Sequence, residues 1–276
     1  MALFNRLLLG QNRNRVVNKF LDANFIHLEI AEIITQTIID CKRNFANILE
    51  IGSRNGDLGK RIADEKKSTV LIQTDCSSQM VYNHNLNLVM DDEILCFKEQ
   101  SFDLILSNLN LHLVNDIPRN LVSIKNLLKS GGFFITSFFG EENLKELREV
   151  FFQTEQKFYG GISPRIAPLI DIKTAGMMLG KAGFVDVVAE KHRFLVEYSN
   201  PKKLLVDLKN MGEANILNDR SQKFITKNFL FNLTELYKNL YSVADSSLTD
   251  QENVGLLEKN TLATFEIIIL AGWKQQ

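Results

Sequence analysis

The segment LEIGSRNGDLG, residues 49–59, carries an acid within an apolar run and then sets Gly52 and Gly56 in a short turn. Glycine lacks Cβ, so a turn of this kind after a strand lets a ligand approach the backbone, although an ordinary tight turn uses the same residues. Asp75 closes TVLIQTD (69–75), and Asp91 and Asp92 close LNLVMDD (86–92). A carboxylate at a strand tip can accept both hydroxyls of a ribose, and a carboxylate on the next strand can accept the exocyclic amine of an adenine. The bland readings are a helix-capping or turn aspartate at 75 and a solvated loop pair at 91 and 92. Together with Glu50, the three strand ends favour a nucleoside site.

A second set of groups follows the next strand. Ser107, Asn108 and His112 come directly after an apolar run, at the edge where a reacting group of a bound ligand would emerge. His112 suits a base or an orienting group for an acceptor, and equally a packed residue in its LHLV context. Arg165, in YGGISPRIAPLI, can clamp a carboxylate or phosphate, or stand as a surface arginine. Tyr159 and Ser163 share that segment, and Glu213 and Asn215 in MGEAN offer polar groups to the same cavity or a plain helix-end turn. His27, His84, His112 and His192 are scattered and show no metal-binding spacing, and neither a GxSxG elbow nor a GxxxxGK[ST] loop is present. No metal site is expected.

The elements that must position these groups alternate. Apolar residues at helical spacing run from Asn18 to Asp40, then NILEI (47–51) reads as a strand, LGKRIADEKK as a helix and TVLIQTD as a second strand. That order is a βαβ unit and predicts a parallel sheet. Strands follow at 86–92, 101–108 and 131–139, with a helix before the last that Gly131 and Gly132 are expected to cap. KTAGMMLGKAGF is a helix ending at Gly183, FVDVVAEKHRFLVEY a long strand, and TFEIIILAGWK (264–274) the final one. The expected division is one domain over 1–276: N-terminal helices in 1–46, a binding core in 47–140, insertions at 141–171 and 200–258 that roof a cavity, and the last strand. Near-continuous apolar strands such as FFITSFF predict a sheet covered on both faces, not a membrane surface.

Composition narrows the field. With 276 residues at 45% hydrophobic the chain can bury a large core, and a formal net charge of −1 gives no electrostatic case for nucleic acid. Cys41, Cys76 and Cys96 are well separated, which suits reduced thiols. The opening MALFNRLLLG is too short an apolar run for a secretory signal, and no stretch reaches the length of a spanning helix. A soluble, intracellular protein is expected.

The successive segments EIGSRNG, Asp75, DDEILCFKEQSFD and LSNLNLHLVND resemble the motifs of class I S-adenosylmethionine-dependent methyltransferases. The resemblance implies a Rossmann-like α/β fold with a seven-stranded, mostly parallel sheet whose last strand is antiparallel. It assigns Gly52 and Gly56 to the methionine part of the cofactor, Asp75 to the ribose, and Asp91 with Asp92 to the adenine. LFNRLLLGQNRNR, RNFANILEIG, YGGISPRIAPL, MGEANIL and LAGWK further resemble, in order and over nearly the whole chain, the mitochondrial complex I assembly factor 5 family and its bacterial relatives. That likeness implies a protein substrate, such as a complex I subunit, admits peripheral contact with a membrane complex, and points to a bacterial cytoplasmic protein or a mature mitochondrial matrix form. It admits arginine hydroxylation in place of methylation; a small-molecule or carrier-protein methyltransferase and a non-catalytic assembly chaperone are the other readings. One residue departs from the superfamily pattern: Arg54 stands where the loop usually has its middle glycine, and it crowds the cofactor unless its side chain points to solvent.

Overall fold

The computed structural model describes residues 2–81, 86–221, 224–243 and 260–276. His84 and residues 244–259 of the expected second insertion lie outside them. Eight strands form one sheet, with main order β3-β2-β1-β4-β5-β8-β6. These are β1 (Asn47–Ile51), β2 (Val70–Asp75), β3 (Asn87–Val89), β4 (Phe102–Ser107), β5 (Leu128–Phe139), β6 (Phe184–Tyr198) and β8 (Asn260–Lys274). The strands β3, β2, β1, β4 and β5 run parallel, and β8 is antiparallel to both β5 and β6. The seven expected strands are therefore present with the last one antiparallel. A two-residue eighth, β7 (Ser242–Val243), pairs with the start of β8.

Alternation along the strands divides the core into two layers. Ile48, Leu104, Leu106, Ile135 and Ile267 face one way, against α2 (Phe25–Asp40), α3 (Asp57–Lys66), α5 (Lys145–Tyr159) and α8 (Lys227–Tyr241). Leu49, Ile105, Phe134, Ile268 and Leu270 face the other way, against α4 (Ile117–Leu127) and α6 (Ile172–Lys181). In α2 the residues Ile26, Ile30, Ile34 and Ile38, four apart, form one fully buried stripe. Both faces of the parallel core are covered, as its apolar runs require.

Three local expectations need correction. The helical run read from Asn18 to Asp40 is a 3-10 turn at Phe20–Asp22 and then α2, and a further helix, α1 (Arg6–Val16), precedes it. Gly131 and Gly132 do not cap a helix: α4 ends at Leu127, β5 begins at Leu128, and the β4–β5 register jumps from Phe102↔Leu128 to Leu104↔Phe133. The glycines lie in that irregularity, where Gly131 adopts φ +70° and a strand can absorb extra residues. Finally, β3 stops at Val89, so Asp91 and Asp92 sit in the turn beyond the strand.

Candidate functional site

The turn after β1 is held from beneath. Glu50, buried, accepts the Gly59 backbone N–H of α3 at 3.2 Å and the Gln73 amide of β2 at 2.6 Å, while Gln73 also donates to the Gly56 carbonyl at 2.8 Å. Burial pushes the Glu50 carboxyl up to about 7, against the hydrogen bonds from Gln73 and Gly59. Glu50 thus fixes the geometry of the turn. Within it Gly52, Arg54 and Gly56 have φ of +68°, +52° and +73°, so the non-glycine residue at 54 takes a left-handed conformation.

Arg54 is buried, and it reaches sideways: its Nη2 donates to Glu213 Oε1 at 2.9 Å, in the segment after α7 (Pro201–Asn210). The side chain does not point to solvent, as an unobstructed cofactor loop required; it lines a hollow of about 20 Å³ together with Glu50, Gly52, Ser53, His27 and Asn108. That hollow is the size of one water molecule.

Asp75 at the tip of β2 is fully buried. Its Oδ1 accepts the Ser77 N–H at 2.8 Å; its Oδ2 accepts Arg13 Nη1 at 2.9 Å and the Arg54 N–H at 3.2 Å. Burial would raise this carboxyl, but the charges of Arg13 and Arg54 overcome it and hold it below the usual carboxylate range. Arg13, itself fully buried, continues through Nη2 to Asn110 Oδ1 at 2.6 Å, and Asn110 Nδ2 donates to Asp92 Oδ2 at 3.0 Å. A Cβ on Gly52 would overlap the Asn110 amide, so Asn110 lies directly on the glycine turn. Asp91 and Asp92 are bridged by Arg6, at 2.9 Å to each, and the buried Asp92 Oδ1 has no partner. The groups expected to meet do meet: Gly52, Asp75 and Asp92 are linked through Arg13 and Asn110.

At the end of β4, Ser107 is buried and Asn108 joins three elements, accepting Ser137 Oγ at 2.8 Å and donating to the His27 carbonyl at 3.0 Å. His112, in the following 3-10 turn, contacts Glu213 Oε2 through Nε2 at 3.1 Å and packs edge-on to Phe139 at 4.8 Å. Burial opposes ionisation of Glu213, yet His112, Arg54 and Arg13 bring its carboxyl down to about 2. His112 and Glu213 line a second cavity of about 470 Å³, mostly apolar, whose walls include Phe139, Leu147, Phe151, Leu208 and Arg165. Arg165 donates to the buried Glu155 at 2.6 Å, and Ser163 bonds the same carboxylate, which pins the glycine-hinged segment to α5. Asn215 Nδ2 reaches the Pro164 carbonyl at 2.8 Å, so the GGISPR and MGEAN segments meet at this cavity. Tyr159 stacks on Phe229 at 5.6 Å, away from the chemistry.

Sequence reasoning missed Arg6, Arg13 and Asn110. Asn110 lies two residues beyond Asn108 and was legible in principle from its place after a strand tip. The two arginines were not, because nothing in RLLLGQNRNRV says which strand ends it will meet.

The fold and this gathering of glycine turn and carboxylates at parallel strand tips define a class I methyltransferase domain. The methyltransferase domain family matches residues 49–136. The rat mitochondrial protein named arginine-hydroxylase NDUFAF5 is 31% identical over 282 residues, 99% of this chain and 78% of that protein. RP459 of Rickettsia prowazekii, whose name assigns it as a methyltransferase candidate, is 35% identical over 80% of this chain and 96% of its own length. The chain belongs to the family of methyltransferase-domain proteins that includes these relatives. Among solved structures, the YcgJ protein of Bacillus subtilis superposes with a TM-score of 0.56 at 14% identity, covering 89% of this chain and 98% of that one, a likeness of fold.

Proposed function

We propose that the chain is an S-adenosylmethionine-dependent enzyme that modifies a protein side chain during assembly of a respiratory NADH dehydrogenase, complex I. The observation that carries the reading is the convergence of Asp75, Asp92 and Asn110 on the Gly52 turn. The donor and acceptor types fit an adenosyl group: Asp75 offers acceptors for ribose hydroxyls, and the unpartnered Asp92 Oδ1 offers one for a base amine. Bound there, the cofactor supplies an activated sulfonium methyl.

The chain's own residues do the positioning. Glu50 and Gln73 hold the turn, and Asn108 ties the tip of β4 to β5 and α2. His112 Nε2 pairs with Glu213 Oε2, and His112 Nδ1 has no hydrogen-bond partner. His112 is the proposed base and Arg165 the proposed clamp, both on the cavity that would admit the acceptor. Glycine at 160, with φ +63°, and its neighbour Gly161 give the segment after α5 the freedom of a lid.

The name of the rat relative supports a second outcome on the same site, hydroxylation of an arginine. Two measurements test the proposal. Calorimetric titration with S-adenosylmethionine and S-adenosylhomocysteine is expected to show saturable binding, and no heat at millimolar ligand with folded protein would refute it. Mass spectrometry of complex I subunits from cells with and without the protein is expected to show a lost modification, whose added mass separates methyl from hydroxyl.

A further inference from the structure

We propose that α1 is an internal plug of the nucleoside site, and that an adenosyl ligand binds by displacing it. The inference rests on the reading of that site given above. Its basis is a count of acceptors. A carboxylate offers about four lone-pair positions. At Asp75 three are taken, by Ser77, Arg54 and Arg13, so the two hydroxyls of a ribose cannot both be accepted while Arg13 remains. At Asp92 the Oδ2 atom is taken by Arg6 and Asn110. Arg13 therefore occupies an acceptor that the ribose would need, while Arg6, near the other end of the same helix, bonds Asp91 Oδ1 and Asp92 Oδ2 and leaves Asp92 Oδ1 open.

Space gives the same answer independently. Arg13 Nη2 holds Asn110 at 2.6 Å, and the Asn110 amide lies against Gly52, where a ligand would approach the backbone. The hollow that Gly52 and Arg54 line on the His27 side of the turn is about 20 Å³, room for a water and not for an amino acid. The helix is seated closely: a Cβ on Gly10 would stand 2.8 Å from the Cys76 carbonyl oxygen, at the tip of β2. The outer face is free at Leu7, 82% exposed, while Leu9 and Val16 are buried on the inner one, Asn14 accepts Ser77 Oγ at 2.6 Å and Arg6 donates to the Leu113 carbonyl at 2.8 Å. Asn5 N–H bonds the Ile216 carbonyl at 2.8 Å and Phe4 bridges Leu217, which gives the helix a hinge on the segment that carries Glu213.

A site that is open only part of the time has its apparent affinity reduced by that fraction, and weakening the plug restores it. Gly10→Ala is the informative variant, because it disturbs the seat of α1 without substituting any partner of Asp75, and favours the helix itself. With S-adenosylhomocysteine as the probe, Gly10→Ala is expected to bind about ten- to a hundredfold more tightly than wild type by calorimetry. Hydrogen exchange on the wild-type chain supplies a measurement that needs no variant: saturating S-adenosylhomocysteine is expected to increase amide exchange across residues 6–16. Binding with those amides unchanged or better protected overturns the plug and leaves the nucleoside site standing, as does equal or weaker binding by Gly10→Ala. Absence of binding by both chains at millimolar probe overturns the plug and the site together.

Discussion

At the scale of single residues, burial decides what each charged group does. Glu50 is ionised near pH 4.5 in the unfolded chain but keeps its proton to about 7 in the folded one. Its contribution to stability is therefore complete below 4.5 and declines as pH rises through that interval to about 7. Glu50→Gln mimics the protonated form and accepts from the same donors. Its melting temperature is expected to exceed that of wild type by several degrees at pH 8 and to converge with it at pH 4.5, taking about 2–4 °C per kcal/mol for a chain of this size. Parallel melting curves at both pH values would exclude the role. Arg54 gives a second expectation. Arg54→Gly relaxes a left-handed backbone but leaves the buried Glu213 without its arginine. The net loss is expected to be about 2–4 kcal/mol in chemical denaturation, since breaking a buried pair outweighs the backbone relief; a gain in stability would show that the ion pair is not what fixes residue 54.

At the scale of elements, the sequence was most legible where period and chemistry agree. The strand at 47–51 with its turn at Gly52 and Gly56 follows from an apolar run ending in glycine, and the strands at 102–107 and 184–198 from their strings of β-forming residues. The GG pair at 131 and 132 misled because a helix cap and a strand irregularity use the same residue, and only the partner strand distinguishes them. α1 was illegible for a different reason. Its arginines look solvated in a polar run, and they become buried only through carboxylates more than 60 residues away in the chain, Asp75 being 62 from Arg13 and Asp91 being 85 from Arg6. The glycine turn yields a direct test at this scale. Gly52→Ala must hold φ +68° and place a methyl against Asn110, so it is expected to cost more than about 1 kcal/mol and to weaken adenosyl binding; an unperturbed variant would mean that the turn and Asn110 are not in contact.

At the scale of the whole molecule, two compartments share one wall. The nucleoside groups lie at the tips of β1 and β2 and beyond β3, the 470 Å³ cavity lies beside the tip of β4, and Glu213 touches both Arg54 and His112 between them. Under the proposed function this separates binding from chemistry. His112→Ala is expected to lower turnover by about 10²- to 10⁴-fold while leaving S-adenosylhomocysteine affinity within about twofold, the pattern of a lost base; loss of affinity with unchanged turnover would place the histidine in the cofactor site. The central claim is that Asp75, Asp92 and the Gly52 turn form one adenosyl pocket. A crystal structure with S-adenosylhomocysteine tests it most directly: the ribose hydroxyls should lie on Asp75, the adenine near Asp92 and the amino-acid end over the turn. A ligand bound elsewhere, with Asp75 still closed by Arg13, would contradict the account.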